Sequence, residues 1–234
     1  MPEVSILIPV YNEENTVLNT LKKVVSLRNK LTVEIIIVND GSTDQTLKIL
    51  ESNKNLYDQL INFEKNQGKG KSIIEGLKNA NKDYIFFQDA DLEYDPKELI
   101  KFVRFVSKYN ADLIMGSRFT ASDRSVLFFW HMLGNKFITF FFNLINNTTF
   151  TDIYCCHCLF KRENLNYKYL RINSWGQQAE ILTYLVSKSQ KIFETSVKYV
   201  GRDYKQGKKI RYHHVFEVIF VIFFTRLKVI FSKK

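Results

Sequence analysis

The first 118 residues alternate between short, almost uninterrupted apolar runs and longer stretches in which apolar residues recur every three or four positions. Val4-Ser5-Ile6-Leu7-Ile8, Val33 to Val38, Leu60 to Phe63, Tyr84 to Phe87 and Leu113 to Met115 read as strands buried on both faces. Between them, Glu13 to Asn29 sets Val17, Leu18, Leu21, Val24 and Val25 on one helical face. Asp44 to Leu50, Lys71 to Ala80 and Pro96 to Tyr109 read as further helices, the last with proline near its first turn. Strands of this kind, each followed by an amphipathic helix, predict an α/β fold: a mostly parallel sheet with helices on both faces.

Beyond Arg118 the rhythm breaks down. A polar loop, Thr120 to Ser125, leads into an aromatic stretch, a strand at Cys156 to Phe160, a helix at Gln178 to Ser187 and a strand at Ile192 to Tyr199. A basic loop and a terminal amphipathic helix follow. With no repeat and no low-complexity linker, the chain reads as one unit in three zones, residues 1–118, 119–211 and 212–234. Two apolar stretches invite comparison with a membrane span. Val126 to Ile145 is interrupted by His131, Gly134, Asn135, Lys136 and Asn143. Val215 to Phe224 reaches only about 15 Å of a roughly 30 Å hydrocarbon layer. Both are expected to lie in the interface of a membrane and not to cross it.

Charge sharpens this division. The chain has 234 residues, 45% apolar and 25% charged, enough for one packed domain. Its net charge of +10 is unevenly spread: residues 1–118 hold sixteen basic and seventeen acidic side chains, whereas 119–234 hold eighteen and seven. Phenylalanine divides the same way, five against fifteen. A uniformly basic nucleic-acid binder is therefore not expected, and the rear half is matched to an anionic, apolar partner such as a membrane surface. Met1-Pro2-Glu3 has no basic run of the secretory type, so no leader is expected. Cys155, Cys156 and Cys158 are odd in number and too close together for a disulfide framework, which points to a reducing, cytoplasmic compartment.

In an open parallel sheet, ligands bind at the carboxyl ends of the strands. Here those ends read Pro9-Val10-Tyr11-Asn12-Glu13, Asn39-Asp40-Gly41-Ser42-Thr43-Asp44, Asn66-Gln67-Gly68-Lys69-Gly70-Lys71, Gln88-Asp89-Ala90-Asp91-Leu92-Glu93 and Gly116-Ser117-Arg118. Asp89 and Asp91 place like charges close together, which is costly unless a cation lies between them. Few, hard oxygen ligands suit Mg²⁺ or Mn²⁺ shared with phosphate oxygens. Gly70-Lys71-Ser72 is not part of a nucleotide-triphosphatase loop, since the required earlier glycine is Lys65. Cys155-Cys156-His157-Cys158 lacks a second cysteine pair and reads as buried packing in place of a zinc site, strand alternation sending Cys156 and Cys158 to one face.

With Thr151-Asp152 and Gly201-Arg202-Asp203-Tyr204-Lys205-Gln206-Gly207-Lys208-Lys209-Ile210 added, these motifs resemble, in order and spacing, the family 2 glycosyltransferases of the GT-A fold, in particular their polyprenyl-phosphate, dolichol-phosphate mannose synthase-like branch. The resemblance implies that Pro9, Tyr11, Glu13 and Asp40 form the pocket for the nucleotide base and ribose, with Gly68, Lys69, Gly70 and Ala90 completing the donor-binding set. It implies that Asp89 and Asp91 hold a metal on the donor diphosphate, with Glu93 as third ligand. Arg118, Arg202 and Lys209 form a cationic cluster for the acceptor phosphate or the leaving diphosphate, and Asp152 or Glu180 is the base if one is needed. Two departures stand out. Relatives often carry Glu-x-Glu where this chain has Gln178-Ala179-Glu180, and Cys-Tyr-Lys where it has Cys156-His157-Cys158.

The expected activity is metal-dependent, inverting transfer from a UDP- or GDP-sugar to a polyprenyl phosphate, for cell-surface glycan or glycoprotein assembly. It is expected on the cytoplasmic face of a membrane, with the need for an anchoring partner protein left open. Transfer to a sugar hydroxyl, or an inactive nucleotide-sugar-binding scaffold subunit, are the alternatives.

Overall fold

The computed structural model describes residues 1–122, 125, 128–172, 174–201 and 214–231. Its strands are β1 (Val4–Val10), β2 (Val33–Asn39), β3 (Gln59–Asn62), β4 (Tyr84–Phe87), β5 (Leu113–Ser117), β6 (Cys158–Lys161) and β7 (Ile192–Ser196). Its α-helices are α1 (Val17–Val25), α2 (Thr46–Ser52), α3 (Lys69–Asn79), α4 (Leu99–Tyr109), α5 (Phe129–Asn146), α6 (Gln177–Lys188) and α7 (His214–Phe231).

One seven-stranded sheet runs in the order β3-β2-β1-β4-β6-β5-β7. β1 is parallel to β2 and β4, β2 to β3, and β5 to β7. β6 alone is reversed, antiparallel to both β4 and β5. The apolar runs therefore give a mostly parallel sheet, as the pattern predicts, but a run buried on both faces does not announce its direction. Helices cover both faces. On one, α3 packs against β1 and β2, and Gly76 lets it approach closely: a Cβ there would lie 3.3 Å from Leu7 Cδ1. α4 turns Leu99, Phe102, Val103 and Val106 inward, each worth about 1.5–3 kcal/mol of burial.

Three boundaries differ from the pattern. α1 begins at Val17 and not Glu13, because Asn12 adopts a left-handed φ of 53° and residues 13–16 form a turn closed on the Glu13 carbonyl. β6 begins at Cys158, so alternation does not govern residues 155–157, all of which are buried. The expected strand to Tyr199 stops at Ser196, and Tyr199 instead makes an isolated antiparallel bridge with Tyr94.

α5 and α7 pack against one another, and α7 also against α6. α5 buries Ile138, Thr139, Phe142 and Asn146 but leaves Phe129, Trp130, Phe137 and Phe140 exposed. α7 buries Val218, Ile222, Thr225 and Val229 while Phe216, Phe220, Phe223 and Phe224 face outward. Among the described residues, no helix is long and apolar enough to cross a membrane.

Candidate active site

The β1–α1 and β2–α2 loops are latched to each other at the carboxyl end of the sheet. Asn12 Oδ1 accepts from the Thr43 amide at 2.8 Å, while the Asn12 amide donates to Ser42 Oγ at 3.0 Å. The Glu13 amide donates to Thr46 Oγ1 at 2.9 Å. Gly41, at φ 65°, lies so close to the next loop that a Cβ would fall 2.4 Å from the Lys65 carbonyl carbon. The Asp40 carboxylate accepts from the amides of Gln67 at 2.7 Å and Gly68 at 2.9 Å, tying the β2 end to the start of α3. Burial pushes the Asp40 carboxyl up from its ordinary value, against the pull of those two amides. Gly68, at φ 91°, then caps α3, whose second and third residues are Gly70 and Lys71. Pro9 and Tyr11, half-buried at the end of β1, complete this rim.

The acid pair lies at the end of β4. Asp89 Oδ1 receives the Lys69 ammonium at 2.6 Å. Burial alone would raise the Asp89 carboxyl, but Lys69 and a bond from the Cys156 thiol outweigh it, so the net direction is down, while Lys69 is held up by the same pairing. Asp91 Oδ1 accepts from the Glu93 amide at 3.1 Å. Between them Leu92 sits at φ 64°, a left-handed conformation that costs a branched side chain about 1–3 kcal/mol.

That strain is sustained by ties along the whole loop. The Ala90 carbonyl accepts Thr20 Oγ1 at 2.9 Å, and the Glu93 carbonyl accepts the Val200 amide at 3.0 Å. Gln88 Nε2 donates to the carbonyls of Asp89 at 3.0 Å and Tyr94 at 3.4 Å, holding both ends of the loop at once. Its Oε1 meets His157 Nε2 at 3.1 Å, and since that oxygen can only accept, His157 carries its proton on Nε2. The imidazole is fully buried, 4.8 Å from the rings of both Phe86 and Tyr94, and burial pushes its pKa down to about 3. Gln88 and His157 both stand within motifs read from the sequence, but neither is given a role there. The available signal is a pair of polar residues inside otherwise apolar strand contexts.

Two carboxylates with hard oxygens fit Mg²⁺ or Mn²⁺ that fills its other positions with diphosphate oxygens and water, and the Lys69 ammonium marks Asp89 as a place where a cation is stabilised. Glu93 Oε2 accepts the Tyr199 hydroxyl at 3.0 Å, and among the described residues no three His, Cys, Asp or Glu side chains cluster as a metal site.

The two expected base positions both make bonds within the protein. Asp152 is fully buried and clamped by Arg118, with Nε and Nη2 each at 2.7 Å and the Arg118 amide at 3.1 Å. Arg118 in turn lies over the Tyr199 ring at 5.4 Å, and its side chain is only 10% exposed, so its charge is largely neutralised by Asp152. Glu180 is also buried, its two oxygens accepting the amides of Arg171 and Ile172 at 3.0–3.1 Å. Both acids hold backbone or a buried cation. Arg202 and Lys209 lie outside the described residues.

Hydrogen bonds and the Lys69–Asp89 pair tie the polar ends of β1, β2 and β4 and the start of α3 into one rim, and the family model for glycosyl transferase family 2 matches residues 5–167. The chain belongs to glycosyl transferase family 2. This family 2 chain is 39% identical over 121 residues to an uncharacterized protein of Methanocaldococcus jannaschii, covering 48% of the chain and 50% of that protein. Over 93 residues it is 41% identical to the poly-beta-1,6-N-acetyl-D-glucosamine synthase of Staphylococcus epidermidis, covering 39% of the chain and 22% of the synthase. The chain thus spans half the length, or less, of the curated relatives it matches. Its fold is similar to that of glucosyl-3-phosphoglycerate synthase from Mycobacterium tuberculosis, solved with Mn²⁺, uridine diphosphate and phosphoglyceric acid. There the TM-score is 0.71 at 15% identity, covering 97% of this chain and 78% of the other. The fold is the GT-A arrangement.

One departure from the family pattern now has a local explanation. Gln178, where relatives often carry an acid, donates Nε2 to the Cys155 carbonyl at 3.3 Å, a bond that an ionised glutamate could not make. At the other, His157 occupies the place of an aromatic residue among aromatic rings and adds the bond to Gln88.

Proposed function

We propose that this family 2 chain transfers a sugar, with inversion, from a nucleotide diphosphate sugar to a polyprenyl phosphate, as a peripheral enzyme on the cytoplasmic face of a membrane. The observation that carries the acceptor assignment is the joined outer surface of α5 and α7. Trp130 is 76% exposed and Phe216 75%, within a run of outward-facing phenylalanines larger than a water-facing surface needs. A lipid acceptor and the membrane that holds it give that surface something to meet.

The donor half follows from the rim. In this reading Tyr11, Glu13 and Asp40 belong to the base and ribose pocket, and the turn at Gly68 with Lys69 to the diphosphate side. The solved relative with Mn²⁺ and uridine diphosphate supports a divalent cation and a uridine donor; a guanosine donor stays within the proposal. A cation held by Asp89 and Asp91 would offset the charge that develops on the departing diphosphate. The chain's own task is to keep those carboxylates in register through the Gln88 and His157 ties and to keep Lys69 beside them. A phosphate monoester is already ionised at neutral pH, its second pKa being about 6, so its oxygen can attack the anomeric carbon without a base. That suits a chain whose Asp152 and Glu180 are both occupied by structural bonds.

Transfer to a sugar hydroxyl is the second reading, favoured by the 41% identity to part of a poly-beta-1,6-N-acetyl-D-glucosamine synthase. The test is a screen of UDP- and GDP-sugars with Mg²⁺ or Mn²⁺ and a short polyprenyl phosphate. Labelled sugar entering the organic phase, and its loss in Asp91→Ala with the fold intact, is the expected result. Label passing only to soluble saccharide would overturn the lipid acceptor, and full activity of Asp91→Ala would overturn the metal site.

A further inference from the structure

α3 and the segment 167–171 form the walls of an open groove of about 490 Å³. Its walls carry Lys71 and Lys78, one and three turns into α3, facing Tyr167, Lys168 and Arg171. Of these four cations Lys78 is paired with a carboxylate, that of Glu75 at 2.6 Å. Among the described residues Lys71 and Lys168 have no carboxylate partner, and the Arg171 side chain bonds only to the neighbouring Leu170 carbonyl, at 3.2 Å. The Glu180 carboxylate lies behind this wall, buried and bonded to the Arg171 and Ile172 amides. So many cations around a concave space are unfavourable unless an anion joins them.

A second groove, again about 490 Å³, adjoins the first through Arg171 and is lined by Tyr169, Tyr184, Lys228 and Phe231. Lys228 and Phe231 belong to the last turns of α7, the helix whose phenylalanines face outward. The basic groove is therefore continuous with the apolar surface, and tyrosine and lysine flank the junction. Amphipathic tyrosine and long basic side chains beside an apolar surface are the composition found at the headgroup level of a bilayer.

We propose that this paired groove, which shares no lining residue with the acid loop, is a binding site for the phosphodiester headgroup of an anionic phospholipid and orients the chain on the membrane by its α3 flank. The site rests on the membrane-surface reading above. Its occupant is a lipid headgroup and not a free phosphate, because the groove opens onto the phenyl-bearing end of α7, where an acyl chain would continue.

The test is sedimentation of the whole chain with vesicles of phosphatidylcholine alone or with added phosphatidylglycerol. The wild type is expected to bind both, and the anionic vesicles more tightly. Lys71→Ser with Lys168→Ser should lose the anionic preference by about five-fold per cation removed and keep its binding to neutral vesicles. Lys22→Ser with Lys23→Ser, removing equal charge from exposed positions of α1, should leave that preference unchanged. Phe216→Ser with Phe220→Ser should weaken binding to both vesicles. If the α1 pair matters as much as the groove pair, the attraction is diffuse and the site is overturned. The same holds if inorganic phosphate binds the groove as tightly as a short-chain, water-soluble phosphatidylglycerol. If the wild type sediments with neither vesicle, the membrane reading itself fails, and the site with it.

Discussion

Replacing Asp152 separates a structural role from a chemical one. Asp152 accepts four hydrogen bonds: Arg118 Nε and Nη2 at 2.7 Å, the Arg118 amide at 3.1 Å and the Tyr154 amide at 3.2 Å. Asp152→Ala would leave a guanidinium of 10% exposure without its counter-ion, together with two amide donors. Breaking a buried pair from one side costs about 3–5 kcal/mol, and the orphaned amides keep the value in the upper part of that range. At about 2–4 °C per kcal/mol for a domain of this size, the melting temperature should fall by roughly 6–20 °C. Circular dichroism during heating and urea titration reads this directly. Replacing both partners, Arg118→Met with Asp152→Leu, should recover most of the loss, because no charge is then left buried. A general base would behave in the opposite way, losing about 10²–10⁴ in rate with little change in stability. An Asp152→Ala protein that melts with the wild type but transfers no sugar would refute the structural role.

Three further outcomes follow from other parts of the rim. His157 is held neutral at about 3 where an exposed histidine titrates near 6.5, so the unfolded chain binds the extra proton between those values. Stability is then full above about pH 6.5 and falls by about 1.4 kcal/mol per pH unit below it on this group's account. His157→Phe should remove that component, and urea midpoints at pH 7, 6 and 5 that keep a constant gap between the two proteins would contradict it. Gly41→Ala must displace the Lys65–Asn66 backbone and adopt a left-handed conformation. A loss of about 1–3 kcal/mol and weaker nucleotide binding by calorimetry are expected, and an unchanged affinity would show that the loop yields freely. Gln178→Glu exchanges a buried donor for an acceptor facing the Cys155 carbonyl, with an expected cost of about 1–3 kcal/mol at pH 7. The cost should shrink on acidification, as the protonated carboxyl regains a donor; denaturant midpoints at pH 7 and 5 measure it.

What was legible in the chain was what depends on local pattern. β1, β2 and β4 are apolar on both faces because helices cover both, and that leaves a readable run. The polar strand ends were readable for the same reason, as interruptions at the place where such a sheet binds ligands. The reversal of β6 was not readable, because Cys158-Leu159-Phe160 would look the same in either direction. Nor were the partners of acids. Asp152 and Glu180 were base candidates beside the resemblance, but Asp152 finds Arg118 thirty-four residues away and Glu180 finds two backbone amides that carry no residue code. Gln88 and His157, sixty-nine residues apart, form a pair that only folding creates.

The reversed β6 also bears on how the chain can be made. β5 lies in the sheet between β6 and β7, and β4 between β1 and β6. Residue 118 marks a change in charge, yet the strand that precedes it has no neighbour synthesised earlier. As the chain emerges from a ribosome, β1 to β4 can assemble among themselves, but β5 must wait about forty residues for β6 before it can dock. Until then the edge of β4 and both edges of β5 stay unpaired, which is the interval in which strand-to-strand aggregation is favoured. A fragment ending at residue 118 would be caught in that interval permanently, so residues 1–118 and the segment that follows, different as they are in charge, depend on one another to fold.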